Sequence, residues 1–269
     1  MLKNRIAAVM LVPLVLLCTA CAHAGPQESL DVLFLTKSSG YEHGVVKRDN
    51  GTLSHAEKIM QKLADNHGFE VVPTKNAKKI NAENLSHFDV VAFYTSGDLT
   101  KRGTDTNPTM SESGRNALIE WIRDGGSFVG IHSASDTFKN WTNDEGEKPY
   151  VRTLGGRFKT HGAQQRATMS VKKHPTTNHL GDEWTLKKEE FYVFAEMADD
   201  IQPLLVLQTD SMPSVKYKKM DPYPVAWYKN VGEGRVWYNG LGHRADVWTN
   251  ENFQEFVVRG IRWTARAAE

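Results

Sequence analysis

Gly125-Gly126-Ser127-Phe128-Val129-Gly130-Ile131-His132-Ser133-Ala134 is the stretch on which the reading of the fold turns. An apolar run behind a glycine pair, stopping in small residues, has the format of a buried strand that ends in a tight turn. Open α/β enzymes present a reacting side chain at the carboxyl end of such a strand. Here that residue is His132, where Cys or Ser is usual. The turn therefore lacks the common acyl-enzyme nucleophile, but an imidazole can move protons near neutral pH or bind a metal.

Outward from this stretch, strand and helix patterns alternate. Leu30-Asp31-Val32-Leu33-Phe34-Leu35 reads as a buried strand, and residues 52–66 put Leu53, Ala56, Ile59, Met60 and Leu63 on one helical face before Gly68. Strands over 69–72 and 89–94 follow, then a helix capped by Ser111 that carries Leu118, Ile119 and Ile122. This alternation predicts an α/β fold with a doubly wound, mainly parallel sheet. Between 166 and 210, strand-like segments such as 167–171 and 204–207 succeed one another without helices, as expected of an inserted or appended antiparallel section. Two more strands, 224–227 and 234–241, flank a turn at 230–234, and an amphipathic helix over 252–265 closes the chain.

Lys3 and Arg5 precede an apolar stretch from 6 to 17, too short for a confident membrane span, so residues 1–24 read as an export signal and 25–269 as one domain. Ala22-His23-Ala24 suits ordinary signal peptidase, giving a periplasmic protein. Cys18-Thr19-Ala20-Cys21 ends as a lipoprotein box does, giving a membrane anchor at Cys21. Both readings stand on the sequence. The two cysteines of the chain lie in this segment, so the domain has neither a disulfide nor a thiol catalyst. A formal net charge of +1 without a basic block excludes nucleic acid as an expected partner.

The polar residues of interest sit where the strands end. Gly40-Tyr41-Glu42-His43 follows the first strand, Ser96-Gly97-Asp98 the third, His132 the fourth and Gly240-Leu241-Gly242-His243 the last. Parallel strands point their carboxyl ends one way, so these groups are expected to share a crevice. Lys159-Thr160-His161 and the pair Glu189-Glu190 are expected to join it from the antiparallel section. His55, His67 and His87 fall on or beside surface helices and receive no role.

These segments resemble the ThuA-like family, named for trehalose utilisation. The resemblance runs from Gly40-Tyr41-Glu42-His43 through Tyr94-Thr95-Ser96-Gly97-Asp98 and Gly130-Ile131-His132. It continues through Leu154-Gly155-Gly156-Arg157-Phe158-Lys159-Thr160-His161, Glu189-Glu190-Phe191-Tyr192 and Pro224-Val225-Ala226-Trp227 to Gly242-His243. It implies a flavodoxin-like fold related to class I glutamine amidotransferases. His132 occupies the place of their elbow cysteine, so glutamine hydrolysis is not implied.

What the resemblance implies for activity is processing of a small-molecule carbohydrate, a 3-keto-glycoside or related disaccharide derivative. A ketone at C3 acidifies the C2 hydrogen, so a general base can remove it while a general acid assists loss of the C1 substituent. On this reading His132 is the central base or electrophilic group, and Glu190 is its carboxylate partner or alternate base. His43, His161 and His243 bind oxygens, while Tyr41, Glu42, Asp98 and Trp227 contact the sugar. Two alternatives stay open. The same histidines and Glu190 resemble the ligands of a zinc, manganese or iron site, and a non-catalytic carbohydrate-binding protein would use the same cleft.

Overall fold

The computed structural model describes residues 29–267. The leader and the lipid-anchor reading at Cys21 lie outside these residues. Eleven strands are formed among those described: β1 (Leu30–Leu35), β2 (Phe69–Thr74), β3 (Val90–Phe93), β4 (Ser127–Ile131), β5 (Arg157–His161), β6 (Gln165–Val171), β7 (Glu183–Glu189), β8 (Tyr192–Ala195), β9 (Gln202–Leu207), β10 (Tyr223–Val231) and β11 (Gly234–Asn239). The helices are α1 (His55–His67), α2 (Ala82–Leu85), α3 (Glu112–Arg123), α4 (Pro149–Leu154), α5 (Val215–Lys218), α6 (Ala245–Trp248) and α7 (Glu251–Thr264).

Nine strands form one sheet in the order β2-β1-β3-β4-β11-β10-β9-β6-β7. The first five run parallel to one another, and every pairing from β11 to β7 is antiparallel. The section expected as an antiparallel insertion thus extends the main sheet, apart from β8, which pairs with β5 of the preceding segment as a separate ribbon. The parallel half has the doubly wound order in which ligands bind where neighbouring loops part, at the carboxyl ends of the first and third strands.

Both faces of the parallel strands are covered, which explains their continuous apolar runs. Val32 and Phe34 of β1 pack into one core with Met60 of α1 and Phe253 and Val257 of α7. Leu33 and Leu35 point into a second core with Leu118 and Ile122 of α3. The switch point is fixed by the loops themselves: Ser39 and Gly40 donate backbone N–H groups to the Ser96 carbonyl at 2.8 and 3.0 Å. Gly97 has φ +74, and a Cβ there would stand 2.4 Å from the Gly40 nitrogen, so this approach excludes a side chain.

Helix α1 begins three residues later than its apolar pattern suggests, because Ser54 and Glu57 form a capping box. Glu57 is wholly buried and does more than cap. Its carboxylate accepts from Thr36 Oγ1 at 2.6 Å and from Arg48 Nε at 2.8 Å. Burial by itself raises its pKa, but Arg48, Thr36 and the Ser54 N–H outweigh that and hold the carboxyl below its ordinary value. A depressed folded pKa contributes stability that is present above the unfolded value of about 4.3 and lost as pH falls through the folded one. Glu57→Gln is expected to cost about 2–4 kcal/mol at pH 7 in urea unfolding, with the gap to the parent narrowing below about pH 4. A constant gap down to the acid transition would refute the coupling.

Candidate active site

Elbow geometry dictates where the site begins. β4 ends at Ile131, and His132 follows with φ +45, a left-handed conformation that strains a residue of this size by about 1–3 kcal/mol. The turn runs on as a 3-10 helix over His132–Asp136. Two bonds from strand β11 and the loop after it keep the elbow in place. Tyr238 Oη donates to the His132 carbonyl at 2.7 Å. His132 Nδ1 stands 2.8 Å from the Gly240 carbonyl; since a carbonyl only accepts, this nitrogen carries the proton and Nε2 presents a lone pair.

That lone pair faces a cluster. His243 Nδ1 lies 3.3 Å from His132 Nε2 and 3.2 Å from Glu190 Oε1. Glu190 Oε1 is 3.7 Å from His132 Nε2, and Glu190 Oε2 is 3.1 Å from His161 Nδ1. His43 brings its ring edge-on to His132 and His243, with centroids at 4.8 and 5.2 Å, and its Nε2 is 3.3 Å from Tyr192 Oη. His43, His132 and Glu190 are buried, His243 is partly so, and His161 is the exposed member. His43, His161, Glu190 and His243 line a cavity of about 450 Å³ with Tyr41, Ser96, Ser133, Asp136, Lys139, Phe158 and Tyr192, within the size range of small-molecule sites, whereas His132, expected to open into the same crevice, is wholly buried behind them.

Different elements supply these groups, for reasons visible locally. His43 and Tyr41 ride the loop after β1, and Ser96 bonds that loop through Oγ to the Tyr41 carbonyl at 2.7 Å. His243 follows Gly242, whose carbonyl accepts from Tyr94 Oη at 3.0 Å and from Trp248 Nε1 at 2.8 Å. Glu190 sits between β7 and β8. Its neighbour Glu189 turns the other way, fully buried, and its Oε1 accepts the backbone N–H groups of Glu190 at 2.7 Å and His243 at 3.2 Å. The β5–β8 ribbon pairs His161 with Tyr192 and lays both, with Phe158, against the cavity.

Electrostatics separates the roles of these side chains. Burial, then neighbouring His132 and His243, push His43 down to about 2, so its ring is neutral. Burial also lowers His132, against the pull of Glu190 and the Gly240 carbonyl. Burial alone would raise Glu190, but the hydrogen bond from His243 Nδ1 at 3.2 Å holds it well below the ordinary carboxylate range. Glu189 is pushed up to about 7 by burial, which its backbone donors only partly offset. Burial and nearby carboxylates raise Tyr192 well above the normal phenol value, so its hydroxyl stays protonated.

His43, His132, His243 and Glu190 each offer one ligating atom, and the four atoms lie within 4.8 Å of one another. Ligands at about 2.0–2.2 Å from one small divalent ion stand about 3.3–3.6 Å apart in a tetrahedral site and at most about 4.4 Å apart on opposite sides of the ion, so the group needs to draw in by about 1.2 Å at its widest for the first geometry and about 0.4 Å for the second. Three further features fit a cation. His132 has its second nitrogen held by a backbone carbonyl, as ligating histidines do. His132 Nε2 and Glu190 Oε1 are both acceptors facing each other, and His43 Nδ1 is buried with no hydrogen-bond partner. Three imidazoles and a carboxylate suit zinc, manganese or iron.

Three sugar-contact expectations change. Trp227 is wholly buried, donates through Nε1 to the Leu154 carbonyl at 2.8 Å and packs on Phe194 and Tyr238, so it is a core residue and offers no ring face to a ligand. Glu42 turns away from the cavity to Lys75 Nζ at 3.1 Å, which needs a counter-charge where it is buried. Asp98 belongs to a neighbouring cavity, pairing with Lys101 at 3.4 Å. Tyr41 lies at the mouth with 68% of its surface exposed. Tyr192, Phe158, Asp136 and Lys139 carried no assigned role in the sequence; their signal is position, two residues after Glu190, in β5 or on the turn that follows the elbow, and Tyr192 and Phe158 also fall within the segments that carry the family resemblance.

A doubly wound sheet with a histidine elbow and a buried His/Glu cluster at its carboxyl edge defines an α/β protein of the flavodoxin-like class that presents a histidine, and no cysteine or serine, at its elbow. The sequence pattern of the ThuA family, described as trehalose utilisation, matches residues 31–264, and the chain belongs to this family. Its fold is similar to that of a ThuA-like protein from Bacteroides uniformis, with a TM-score of 0.66, 18% identity and coverage of 90% of this chain and 94% of that one. A ThuA-like protein from Parabacteroides merdae gives a TM-score of 0.67 at 14% identity, covering 88% and 90%. A cytoplasmic protein of Salmonella typhimurium gives 0.57 at 12% identity, covering 87% and 99%. No curated protein matches the chain.

The elbow geometry is directly testable. His132→Asn and His132→Val both remove the imidazole, but Asn tolerates the left-handed region and a β-branched residue does not. His132→Val is expected to be less stable than His132→Asn by about 1–2 kcal/mol in urea unfolding. Equal midpoints and slopes for the two variants would mean that the backbone here is not left-handed.

Proposed function

We propose that the protein processes a carbohydrate bearing a ring carbonyl, of the 3-keto-glycoside class, by proton transfer beside that carbonyl at a centre that holds a divalent cation. The observation that carries this reading is the group of four ligating atoms within 4.8 Å of one another, three of whose residues, His43, Glu190 and His243, line a sugar-sized cavity. Membership of a family described as trehalose utilisation supports the substrate class. The leader-like residues 1–24 put this activity outside the cytoplasm, in a periplasmic protein or one anchored through Cys21.

Zinc, manganese or iron, when bound, polarises a carbonyl and so acidifies the adjacent C–H bond. The remaining work falls to the chain. His161 Nδ1 is held by Glu190 Oε2 at 3.1 Å and by the Gly162 carbonyl at 3.0 Å, which leaves Nε2 as the base for the C2 hydrogen. Tyr192, kept protonated by burial, donates its hydroxyl to the substrate. Tyr41 offers an exposed ring face at the mouth. As His161 takes the proton, the C2–H electron pair forms a C1–C2 double bond and the C1 substituent leaves with its oxygen, which recovers the proton from the imidazolium. Water then adds across the double bond, oxygen to C1 and hydrogen to C2, and the net change is hydrolysis.

Purified without chelator, the chain is expected to retain zinc, manganese or iron by elemental analysis, and Glu190→Gln and His43→Ala to lose most of it. Saturating metal at about 100 Kd should add about 2.7 kcal/mol to stability. A thermal transition indifferent to all three ions would remove the cation from the proposal.

Products from a panel of 3-keto-glycosides, followed by mass spectrometry, test the chemistry. His161→Asn is expected to slow turnover about 10²-fold or more while the metal content stays as in the parent. If the metal-loaded parent binds sugars and turns over none of the panel, the protein is a carbohydrate-binding module.

A further inference from the structure

We infer that a second cavity, built around Arg115 and Trp141 beside the histidine centre, binds the non-reacting unit of the glycoside, so that the substrate spans two sugar-sized sites. This rests on the carbohydrate reading above and extends it to a part of the molecule that the reaction does not use. The second cavity has a volume of about 460 Å³, close to the about 450 Å³ of the first. Asp136 and Lys139 line both, and their ion pair at 2.6 Å forms the shared rim. Between them, Phe138 has φ +49 and donates its N–H to the Gly97 carbonyl at 3.1 Å. Strain of this kind persists only where surrounding contacts enforce it, and it fixes the rim.

Arg115 supplies the recognition chemistry. It projects from α3 with Cζ 3.9 Å from the Trp141 ring centroid. Its Nε is buried with no hydrogen-bond partner, and among the described residues the guanidinium has no ion pair. Stacking on an indole occupies the face of the guanidinium and leaves its in-plane N–H edges free. A buried donor without a partner costs free energy, and a ligand oxygen relieves that cost. The planar fork suits two adjacent oxygens, whether vicinal hydroxyls or a carboxylate.

The charge of the lining favours the hydroxyls. Three carboxylates, from Asp98, Glu112 and Asp136, face three cations, from Lys101, Arg115 and Lys139. A balanced lining gives a net anion no advantage, whereas donors and acceptors interspersed beside an indole match a neutral polyol. Asp98, expected from the sequence to orient a sugar, finds that role here and not among the histidines.

Calorimetry on the full chain with methyl glucoside, trehalose and a disaccharide whose second ring is a uronate tests the inference. The parent is expected to bind trehalose about tenfold or more tightly than methyl glucoside, the scale of a charged hydrogen bond. Arg115→Ala should erase that advantage and leave methyl glucoside unchanged, and Arg115→Lys, with charge but no planar fork, should restore little of it. Equal affinity for one-ring and two-ring probes, no binding of either, or an equal loss of both in Arg115→Ala overturns the subsite. Tighter binding of the uronate than of trehalose overturns its assignment to a neutral sugar. The two proposals fail separately: a two-ring preference in a parent that turns over no keto-glycoside keeps the subsite and removes the chemistry, and turnover without that preference does the reverse.

Discussion

The backbone at His132 is the constraint on which the site depends. A left-handed turn at the end of a buried strand holds His132 against the Gly240 carbonyl, His243 and Glu190, at a conformational cost. The surrounding structure offsets that cost with the Tyr238 hydroxyl on the His132 carbonyl and the Gly240 carbonyl on Nδ1. The second bond also decides chemistry, because it fixes the tautomer and turns the Nε2 lone pair toward Glu190 and His243. Strain, tautomer and direction are therefore set together by β11, the strand that pairs with β4.

Around this elbow the electrostatics are unusual in sign. Buried histidines would ordinarily satisfy a carboxylate by becoming cations, yet His43 and His132 are driven toward neutrality by burial. Glu190 nonetheless remains ionised. A carboxylate among neutral imidazole lone pairs lacks positive charge, and the divalent ion proposed for this site would supply it where protons would crowd. Glu189 contributes differently: its Oε1 accepts two backbone N–H groups and so ties the Glu190 segment to the His243 loop.

The sheet's composition explains how distant segments meet. Five parallel strands deliver His43, Ser96, His132 and His243 to one edge, because parallel strands end on the same side. The four antiparallel strands prolong that sheet, and the chain passes from β7 at its margin into the β5–β8 ribbon. The ribbon carries His161 and Tyr192 over the parallel edge. It gives the first cavity a wall that a flavodoxin-like sheet lacks, and the Asp136–Lys139 turn forms the rim that this cavity shares with the second.

The alternating apolar runs determined the doubly wound sheet and the placement of His43, His132 and His243, because strand direction alone fixes which ends coincide. Motif order also carried His161 and Glu190 into the same crevice. Pattern could not tell a buried indole that fills a core from one that faces a ligand, so Trp227 was misread; the Leu154 carbonyl that receives its N–H lies 73 residues away. It could not foresee that Glu42 answers Lys75, or that Asp98 lies across the Asp136–Lys139 rim. Nor could it find Arg115, which in the sequence is one more polar residue on an amphipathic helix. Those assignments depend on which side chains meet across the fold, and only tertiary packing sets those distances.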